Sequence, residues 1–211
     1  MRTIKVVGLT GQTGAGKSSV SRLIRSQNIA SIDCDEVSRY VVDNEKKCLA
    51  DLALEFGITI LYADGTLNRR RLGAAVFGDH HKLAKLNALI FPYIRAEINH
   101  RIDDLQEQGV GLVMLDAPTL FEAGADADCD YIVSVIAPES ERLNRIVVRD
   151  HLTDDQARKR IASQHDDAYY TERSQFVLQN EGSPAELHVK TLELLEAMRR
   201  ALALPAGETS Q

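Results

Sequence analysis

The residue types and spacing best suited to chemistry lie near the start of the chain, in a stretch rich in glycine. Its residues fit the pattern G-x-x-x-x-G-K-S/T at every fixed position: Gly11, Gln12, Thr13, Gly14, Ala15, Gly16, Lys17 and Ser18. Glycines let backbone N–H groups point at phosphate oxygens, and the dipole of a following helix attracts the same anion. Lysine can neutralise the β and γ oxygens, and the serine hydroxyl can ligate Mg²⁺. With the adjacent Ser19, this phosphate loop predicts a nucleoside triphosphate site; the alternative is a glycine-rich turn with a chance Lys-Ser pair.

Two carboxylates follow an early apolar stretch, the predicted strand 29–33. Asp33 ends this strand, and Asp35 comes two residues later. Ligands of an open parallel sheet gather at the carboxyl ends of its strands, where a carboxylate can take a proton from an attacking hydroxyl. Asp33 is therefore predicted to be a general base. The alternative is a helix N-cap, a role that suits Asp35 in particular.

A third carboxylate, Asp116, ends a longer apolar stretch, 110–116. An apolar strand that ends in aspartate is typical of the Walker B element, whose carboxylate holds Mg²⁺. Because many buried strands end in aspartate, this pattern indicates a Mg²⁺ site only in combination with the phosphate loop. Ser18 and Asp116 are the predicted magnesium ligands.

Arginines recur at helical spacing in the second half of the chain, at Arg142, Arg145 and Arg149. A guanidinium stays charged when desolvated and presents a planar fork of donors to phosphate. The three are predicted to share one helical face that binds phosphate. The alternative is a solvated face paired with Glu139 and Glu141.

A second arginine group, Arg69 to Arg71, follows a turn at Asp64-Gly65. An acceptor that already carries phosphates needs such cations. A bare cluster of this kind, however, is more often surface than site.

The elements that must position these residues alternate between short β-branched stretches and longer helical patterns. The predicted strands are 4–10, 29–33, 110–116, 131–136 and 176–178. The predicted helices are 17–26, 35–43, 47–56, 70–77, 81–89, 93–106, 140–149, 154–163 and 185–202. Pro92 is predicted to start or break a helix. The alternation predicts an α/β fold with a parallel five-stranded sheet flanked by helices.

The spacing of the strands is uneven. The second and third are about 75 residues apart, whereas a crossover needs on the order of a dozen. The stretch 36–108 is therefore predicted to be a helical insertion into a core formed by 1–35 and 109–204. Within that core, the Arg-rich stretch 139–173 is a predicted lid, and 205–211 is a predicted frayed tail.

Composition and charge exclude several classes of protein. Of 211 residues, 44% are hydrophobic and 27% charged, as in a globular chain. The net charge of −6 gives no general attraction to nucleic acid or anionic lipid. No apolar run approaches the roughly 20 residues that span a bilayer, and the three cysteines show no pairing pattern. The sequence predicts a cytoplasmic protein without nucleic-acid or membrane partners.

The absence of several motifs reduces the number of protein classes to which the phosphate loop can belong. None of the 13 glycines has an aspartate three residues before it, and no Asn-Lys-x-Asp occurs, which argues against a GTPase switch. No Leu-Ser-Gly-Gly occurs, which argues against a transport ATPase. Small phosphotransferases remain, built from a core sheet, an acceptor-binding insertion and a mobile lid.

Short motifs follow one another along the chain. They are Gly8-Leu9-Thr10-Gly11, the phosphate loop, Asp33-Cys34-Asp35, Asp64-Gly65-Thr66-Leu67-Asn68-Arg69, Leu86-Asn87-Ala88-Leu89-Ile90-Phe91-Pro92, Pro118-Thr119-Leu120-Phe121-Glu122, Arg149-Asp150, Arg160-Ile161-Ala162-Ser163-Gln164 and Asn180-Glu181-Gly182. In this order and at these separations they resemble the dephospho-CoA kinase family along nearly the whole chain. The phosphate loop alone is generic, and the segments around Asp33, Pro92 and Glu122 are far more specific.

The resemblance implies a P-loop nucleotide-kinase-like core, a helical CoA domain and a lid. It implies that ATP and Mg²⁺ serve to phosphorylate the ribose 3′-hydroxyl of dephospho-CoA, in a monomer or weak homo-oligomer. It makes Asp33 the base, Lys17 and Ser18 the phosphate and Mg²⁺ contacts, and Arg149 the lid arginine. Further expected contacts are Arg145 and Asn180 to the nucleotide, and Asp33, Asp35, Arg69, Phe91 and Glu122 to the acceptor.

Three residues depart from the family pattern. Phe91 stands where the family usually has histidine, so a polar contact is lost or supplied elsewhere. Thr119 stands where the family usually has leucine, and Cys34 where it commonly has alanine. We expect both positions to accept side chains of different size. Two other readings stay open: a kinase of another small acceptor, and an ATP-binding regulator, for which Phe91 is the only hint. A regulator has no use for the base at Asp33.

Overall fold

Five strands form one parallel sheet in residues 2–76 and 78–202, the part of the chain that the computed structural model describes. They are β1 (Lys5–Gly11), β2 (Ala30–Asp33), β3 (Leu112–Asp116), β4 (Tyr131–Ile136) and β5 (Phe176–Gln179). Across the sheet they lie in the order β2-β3-β1-β4-β5. β1 pairs in parallel with β3 and β4, and β4 with β5. The predicted five-stranded parallel sheet is confirmed.

Helices connect the strands. They are α1 (Lys17–Ser26), α2 (Cys34–Asn44), α3 (Lys46–Phe56), α4 (Arg69–Val76), α5 (His80–Glu107), α6 (Glu139–Asp150), α7 (Asp154–Ala162), α8 (Asp167–Thr171) and α9 (Pro184–Ala201). The short helix α8 was not predicted. Phe77, the predicted end of helix 70–77, and the predicted tail 205–211 lie outside the described residues. Within those residues no helix has the length and apolar character needed to cross a membrane.

The structure has one continuous helix where the sequence predicted two, because Pro92 lies inside α5 without breaking it. Proline in a helix interior removes one backbone hydrogen bond and costs about 3 kcal/mol. Burial on both sides offsets this cost, through Ile90 before the proline and Ile98 and Ile102 after it. The prediction of a helix start or break at Pro92 was wrong.

The inner strands of the sheet are apolar on both faces, as covered parallel strands must be. Val7 and Leu9 of β1 and Val133 and Val135 of β4 are completely buried. Side chains of α1 and α9 complete the core, namely Val20, Ile24, Leu187, Leu195 and Met198. Full burial of such side chains contributes about 1.5–3 kcal/mol each. The loop that follows β1 therefore starts from a rigid support.

The chain divides into two compact units. One consists of the described residues up to Ser31 and from Gln108 onward, and the other is Ile32–Glu107, which holds α2 to α5. Inside this helical unit, α5 packs against α2, α3 and α4, and Val37, Leu52 and Ile102 are almost fully buried. Its bounds lie close to the predicted insertion 36–108.

Candidate active site

The phosphate loop connects β1 to α1 and is pressed against the backbone of α6. Gly14 has a φ of 77°, in the left-handed region that favours glycine. A Cβ atom at Gly14 would lie 2.8 Å from the backbone oxygen of Arg142. The loop therefore needs glycine at this position for both its turn and its close approach to α6.

Two carbonyl groups of the loop accept hydrogen bonds from side chains behind it. Asn180 Nδ2 donates to the oxygen of Ala15 at 2.8 Å, and Arg145 Nη1 donates to the oxygen of Gly14 at 3.4 Å. The loop leads directly into α1, where the N–H groups of Lys17 and Ser18 have no intrahelical acceptor. The arrangement leaves these N–H groups and the positive end of the helix dipole available to an anion.

The first half of the loop is held by two side chains, one from the connection between α7 and α8 and one from the first residue of α8. Gln12 is 2% exposed, and its Nε2 donates to Asp167 Oδ1 at 2.7 Å. The backbone N–H of Thr13 donates to Gln164 Oε1, also at 2.7 Å. Gln12 and Thr13 were predicted to contact the nucleotide, and that remains a prediction.

The lysine of the loop lies against the aspartate that ends β3. Lys17 Nζ forms an ion pair with Asp116 Oδ1, and both side chains are largely buried. The sheet explains the encounter, because Asp116 pairs in register with Leu9, two residues before the end of β1. The structure thus brings together two residues predicted to serve ATP and Mg²⁺.

A cleft of about 380 Å³ lies beside the phosphate loop. It is lined by residues of the phosphate loop, α1, α6, the segment after β5 and α9, namely Gly16, Ser19, Arg22, Leu23, Arg145, Asn180, Gly182, Pro184, Leu187 and His188. Four predicted nucleotide contacts, Gly16, Ser19, Arg145 and Asn180, meet here. The cleft could admit a flat aromatic base next to the guanidinium of Arg145.

The three arginines of α6 lie in different environments. Arg142 is 6% exposed, and within the described chain its Nε and Nη1 atoms have no hydrogen-bond partner. Arg145 is partly buried and pairs with Glu141 at 3.3 Å. The alternative of a solvated face is therefore wrong for Arg142, whereas Arg145 forms the pair with Glu141 that this alternative expects. Phosphate binding by the three arginines stays a prediction.

Arg149, the predicted lid arginine, is more than half exposed and forms a two-pronged pair with the next residue. Its Nε lies 2.8 Å from Asp150 Oδ1, and its Nη2 lies 2.9 Å from Oδ2. Arg160 also contacts Asp150 Oδ2. Hydrogen bonding and the charge of Arg149 hold the pKa of Asp150 below its usual range. The pair is therefore charged at neutral pH.

Glu122, a predicted acceptor contact, lies beside a cluster of aromatic rings. Phe121 meets Tyr169 edge-on with 5.6 Å between ring centroids, and His165 stacks on Tyr169 at 3.6 Å. Glu122 Oε1 lies 3.9 Å from His165 Nε2. Burial raises the pKa of Tyr170 to about 12, and the charge of Glu122 adds to the effect. These rings anchor α8 next to the segment that follows β3.

In the helical unit, Asp33 caps α2. Its Oδ1 accepts a hydrogen bond from the N–H of Glu36 at 3.0 Å. Asp35 lies inside the first turn of the helix, so the expectation that Asp35 makes the cap was wrong. The cap uses one oxygen of Asp33, and the other can still accept a proton. Capping fixes the direction of the carboxylate without excluding a catalytic role.

Two further predicted acceptor contacts lie in the same unit. Arg69 Nη2 donates to Asp43 Oδ1 at 2.8 Å and to the backbone oxygen of Arg39 at 3.4 Å. Both members of the ion pair are about half exposed, so the pair is worth little in stability. Phe91 is partly buried in α5, one residue before Pro92.

Comparison with known proteins identifies the family to which this chain belongs. Residues 5–186 match the family model described as dephospho-CoA kinase. The chain belongs to the dephospho-CoA kinase family. It is an enzyme, a kinase that phosphorylates dephospho-CoA at the expense of ATP. The resemblance found in the sequence motifs is confirmed.

Individual relatives agree with this family over most of their length. A dephospho-CoA kinase of Corynebacterium glutamicum is 38% identical over 189 residues, which are 90% of this chain and 94% of the relative. The crystal structure of TT1252 from Thermus thermophilus is 30% identical, with a TM-score of 0.76 over 97% of this chain and 99% of that one. A dephospho-CoA kinase from Campylobacter jejuni is 22% identical and shares the fold, with a TM-score of 0.70 over 93% and 98% of the two chains.

Sequence reasoning missed two features of this family member's site. The direct ion pair of Lys17 with Asp116 was not foreseen, because the two residues were given separate roles. The contacts of Gln164 and Asp167 with the phosphate loop were not foreseen either. Gln164 did stand at the end of one of the family motifs, and that was the only signal in the sequence.

Proposed function

We propose that this kinase transfers the γ-phosphoryl group of ATP to the ribose 3′-hydroxyl of dephospho-CoA, with the phosphate loop as the ATP site and Asp33 as the base. The observation that carries the proposal is the phosphate loop itself. Its carbonyl groups at Gly14 and Ala15 are tied to Arg145 and Asn180, while the helix that follows begins with unpaired donors. Such a loop is built to bind phosphate.

The triphosphate lies along this loop in the proposal, with its negative charge met by backbone N–H groups and Lys17. The nucleotide base enters the neighbouring cleft and stacks on the guanidinium of Arg145. Arg145 is held by Glu141 and by the backbone oxygens of Gly14 and Asn180. These partners keep its plane fixed, which lowers the entropy lost when the base binds.

Magnesium fits the side chains predicted to hold it. Ser18 offers an exposed hydroxyl and Asp116 a buried carboxylate, and Mg²⁺ prefers oxygen ligands of this kind. Ser18 and Asp116 would hold the ion. When bound, the ion supplies positive charge to the phosphate oxygens.

Asp33 takes the proton of the 3′-hydroxyl in the proposed reaction. The ribose oxygen forms a bond to the γ-phosphorus while the bond from that phosphorus to the bridging oxygen breaks, and ADP leaves. The N-cap bond to Glu36 holds Asp33 Oδ1 in place, so Oδ2 is the oxygen that receives the proton. Lys17 stabilises the charge that builds on the transferring group.

The residues proposed to contact the acceptor are those expected from the family motifs. Arg69 contacts a phosphate of dephospho-CoA, Asp35 and Phe91 line its site, and Glu122 completes the acceptor contacts. Arg149 contributes a cation from the predicted lid 139–173. The enzyme is further proposed to act in the cytoplasm as a monomer or weak homo-oligomer.

The proposal is tested by incubating the purified protein with Mg²⁺, ATP and dephospho-CoA and measuring CoA by mass. Fragmentation of the product must place the new phosphate on the ribose 3′-oxygen. A parallel reaction with 3′-deoxy-dephospho-CoA isolates the acceptor hydroxyl, because only this oxygen is missing. We expect product from the first substrate and none from the second.

The Lys17→Ala and Asp33→Asn variants serve as controls against a contaminating kinase. Product at wild-type rates from both variants would show that another protein is responsible. Phosphorylation at a different hydroxyl, or preferential phosphorylation of another small alcohol, would contradict the proposed reaction.

A further inference from the structure

The connection between α7 and α8, together with the first residue of α8, contacts the phosphate loop at two successive residues. Gln164 Oε1 accepts the N–H of Thr13, and Asp167 Oδ1 accepts from Gln12 Nε2, each at 2.7 Å. The partners are separated by 151 and 155 positions in the chain. Neither contact belongs to the catalytic roles described above. Gln164 is the last residue of a sequence motif to which those roles assign no function.

The first half of the loop depends on these bonds. The N–H of Gln12 is bonded to the oxygen of Val135 at 3.3 Å, and the oxygen of Gln12 accepts from the N–H of Ala15 at 3.1 Å. The N–H of Thr13 points instead to a side chain, Gln164. In a loop that must aim its N–H groups at phosphate, this one is committed to the protein. Gln164 therefore fixes the backbone just before the left-handed turn at Gly14.

Packing makes the α7–α8 connection a firm support. Leu143 and Ile146 of α6 form an apolar cluster with Ala157 and Ile161 of α7. At the other end, Tyr170 of α8 is 1% exposed. Because both flanking helices are anchored by buried side chains, the connection can hold the loop rather than follow it.

We propose that Gln164 and Asp167 are positioning residues of the phosphate loop, which hold Thr13 and Gln12 in the conformation that binds the triphosphate. The proposal deepens the proposed function and rests on the assignment of this loop to ATP. An ordered loop loses less conformational entropy when it binds its ligand. Loss of the support should therefore weaken ATP binding more than it slows the chemical step, because ground state and transition state are affected alike.

The test compares two variants of Gln164 with a control variant of the neighbouring residue Ser163. Gln164→Met keeps the size and removes the acceptor, Gln164→Glu keeps an acceptor oxygen, and Ser163→Ala changes an exposed residue of the same turn. The Ser163 hydroxyl bonds locally, to the oxygen of Arg160. The first readout is hydrogen exchange at the Thr13 amide, followed by NMR in the full-length protein without nucleotide. The second is the dissociation constant for ATP together with the KM and kcat of each substrate.

We expect the Thr13 amide to exchange roughly tenfold faster in Gln164→Met and near the wild-type rate in Gln164→Glu and Ser163→Ala. In Gln164→Met, the dissociation constant and KM for ATP should rise roughly 3- to 10-fold, with kcat and the KM for dephospho-CoA nearly unchanged. General damage to the fold would instead speed exchange throughout the core and lower kcat at unchanged KM. That pattern, or unchanged exchange at Thr13, would overturn the proposal.

Variants of Asp167 test the second contact, the hydrogen bond from Gln12 to Asp167, in the same way. Asp167→Asn keeps an acceptor oxygen for Gln12, and Asp167→Ala removes it. We expect weaker ATP binding in the alanine variant and recovery in the asparagine variant; equal losses in both would contradict a positioning role. The proposed function fails separately, if the wild-type protein does not bind ATP, since the exchange rate at Thr13 is read without nucleotide.

Discussion

The ammonium group of Lys17 contacts the carboxylate of Asp116, and both side chains are largely buried. The lysine belongs to the phosphate loop and the aspartate ends β3, 99 positions further along the chain. A buried ion pair stabilises little by itself, but removing one partner leaves an uncompensated charge in the interior. The two residues are therefore coupled in folding as well as in their proposed roles with ATP and Mg²⁺.

Lys17→Ala should lower kcat by roughly 10²–10³-fold, because its charge matters most where negative charge builds on the transferring phosphoryl group. The same variant should lose up to about 3 kcal/mol of stability, since Asp116 is left unpaired. Adding Asp116→Asn should restore the melting temperature without restoring turnover. Steady-state kinetics, ATP binding and calorimetry on the three proteins give the answer. Equal losses in ATP affinity and turnover, with single-turnover chemistry intact, would mean that Lys17 only binds.

Asp33→Asn should reduce transfer by ~10²–10⁴-fold and leave ATP affinity almost unchanged, because the carboxylate acts on the acceptor hydroxyl. Asparagine caps a helix as well as aspartate does, so the melting temperature should not change. Asp33→Ala should lose the cap as well, at a cost of about 1 kcal/mol. Turnover of Asp33→Asn above about a tenth of the wild-type value would refute the role of base.

Gly14→Ala should impair both folding and ATP binding. Besides the strain of a positive φ, its Cβ would meet the backbone oxygen of Arg142 at 2.8 Å. Gly65→Ala is the matched control, because Gly65 has a φ of 82° with no atom within 4 Å of the added carbon. The difference between the two isolates the close approach, and we expect it to exceed about 1 kcal/mol, as overpacking usually does. Urea unfolding measures it; equal effects would show that the loop can move away from α6.

Arg69→Ala should raise the KM for dephospho-CoA more than roughly tenfold, a change of about 1.4 kcal/mol, whereas Phe91→His should change it less. A charged hydrogen bond to a substrate phosphate accounts for the first effect. Asp43→Asn is the control, because it removes the ion pair of Arg69 and keeps the arginine. A loss in Asp43→Asn as large as in Arg69→Ala would reduce Arg69 to a structural role. If the wild-type protein is inactive and Phe91→His activates it, the result would favour the hypothesis of an ATP-binding regulator.

Tyr93 gives a pH-dependent prediction in the helical unit. Its hydroxyl donates to Asp51 Oδ2 at 2.6 Å, and this bond raises the pKa of Tyr93 to about 12. A group whose pKa is raised in the folded protein stabilises it fully below the unfolded pKa, and the contribution disappears as pH rises through the folded pKa. Tyr93→Phe should therefore melt at a lower temperature than wild type at neutral pH, and the gap should close between pH 10 and about 12. A gap that does not depend on pH would contradict the bond.

The sequence predicted those features whose signals are local. The phosphate loop has a fixed pattern within eight residues, 11–18, and the apolar stretches of β1, β3 and β4 are too long and regular to mistake. A short apolar stretch of this kind is typical of an inner strand that is buried on both faces. The parallel sheet was inferred from the alternation of strand and helix patterns, and the kinase family from the resemblance of short motifs along the chain.

Local signals were misleading where packing competes with them. Pro92 should end a helix by its own chemistry, but apolar residues on both sides hold α5 together. Asp33 and Asp35 are nearly equivalent as candidate caps, and the exact start of α2 decided in favour of Asp33. Arg142 was considered a surface or phosphate-binding residue, and the structure buries it.

The sequence alone therefore determined the residue types, the strands and the loop that can bind a triphosphate, because each depends on neighbours a few positions apart. Only the tertiary structure decided which distant residues hold that loop. Parallel pairing sets Asp116 beside Leu9, which brings it to Lys17, and the packing of α7 and α8 brings Gln164 to Thr13. Such contacts depend on how strands align and helices pack across more than 90 positions of chain, and no short pattern in the sequence records that alignment.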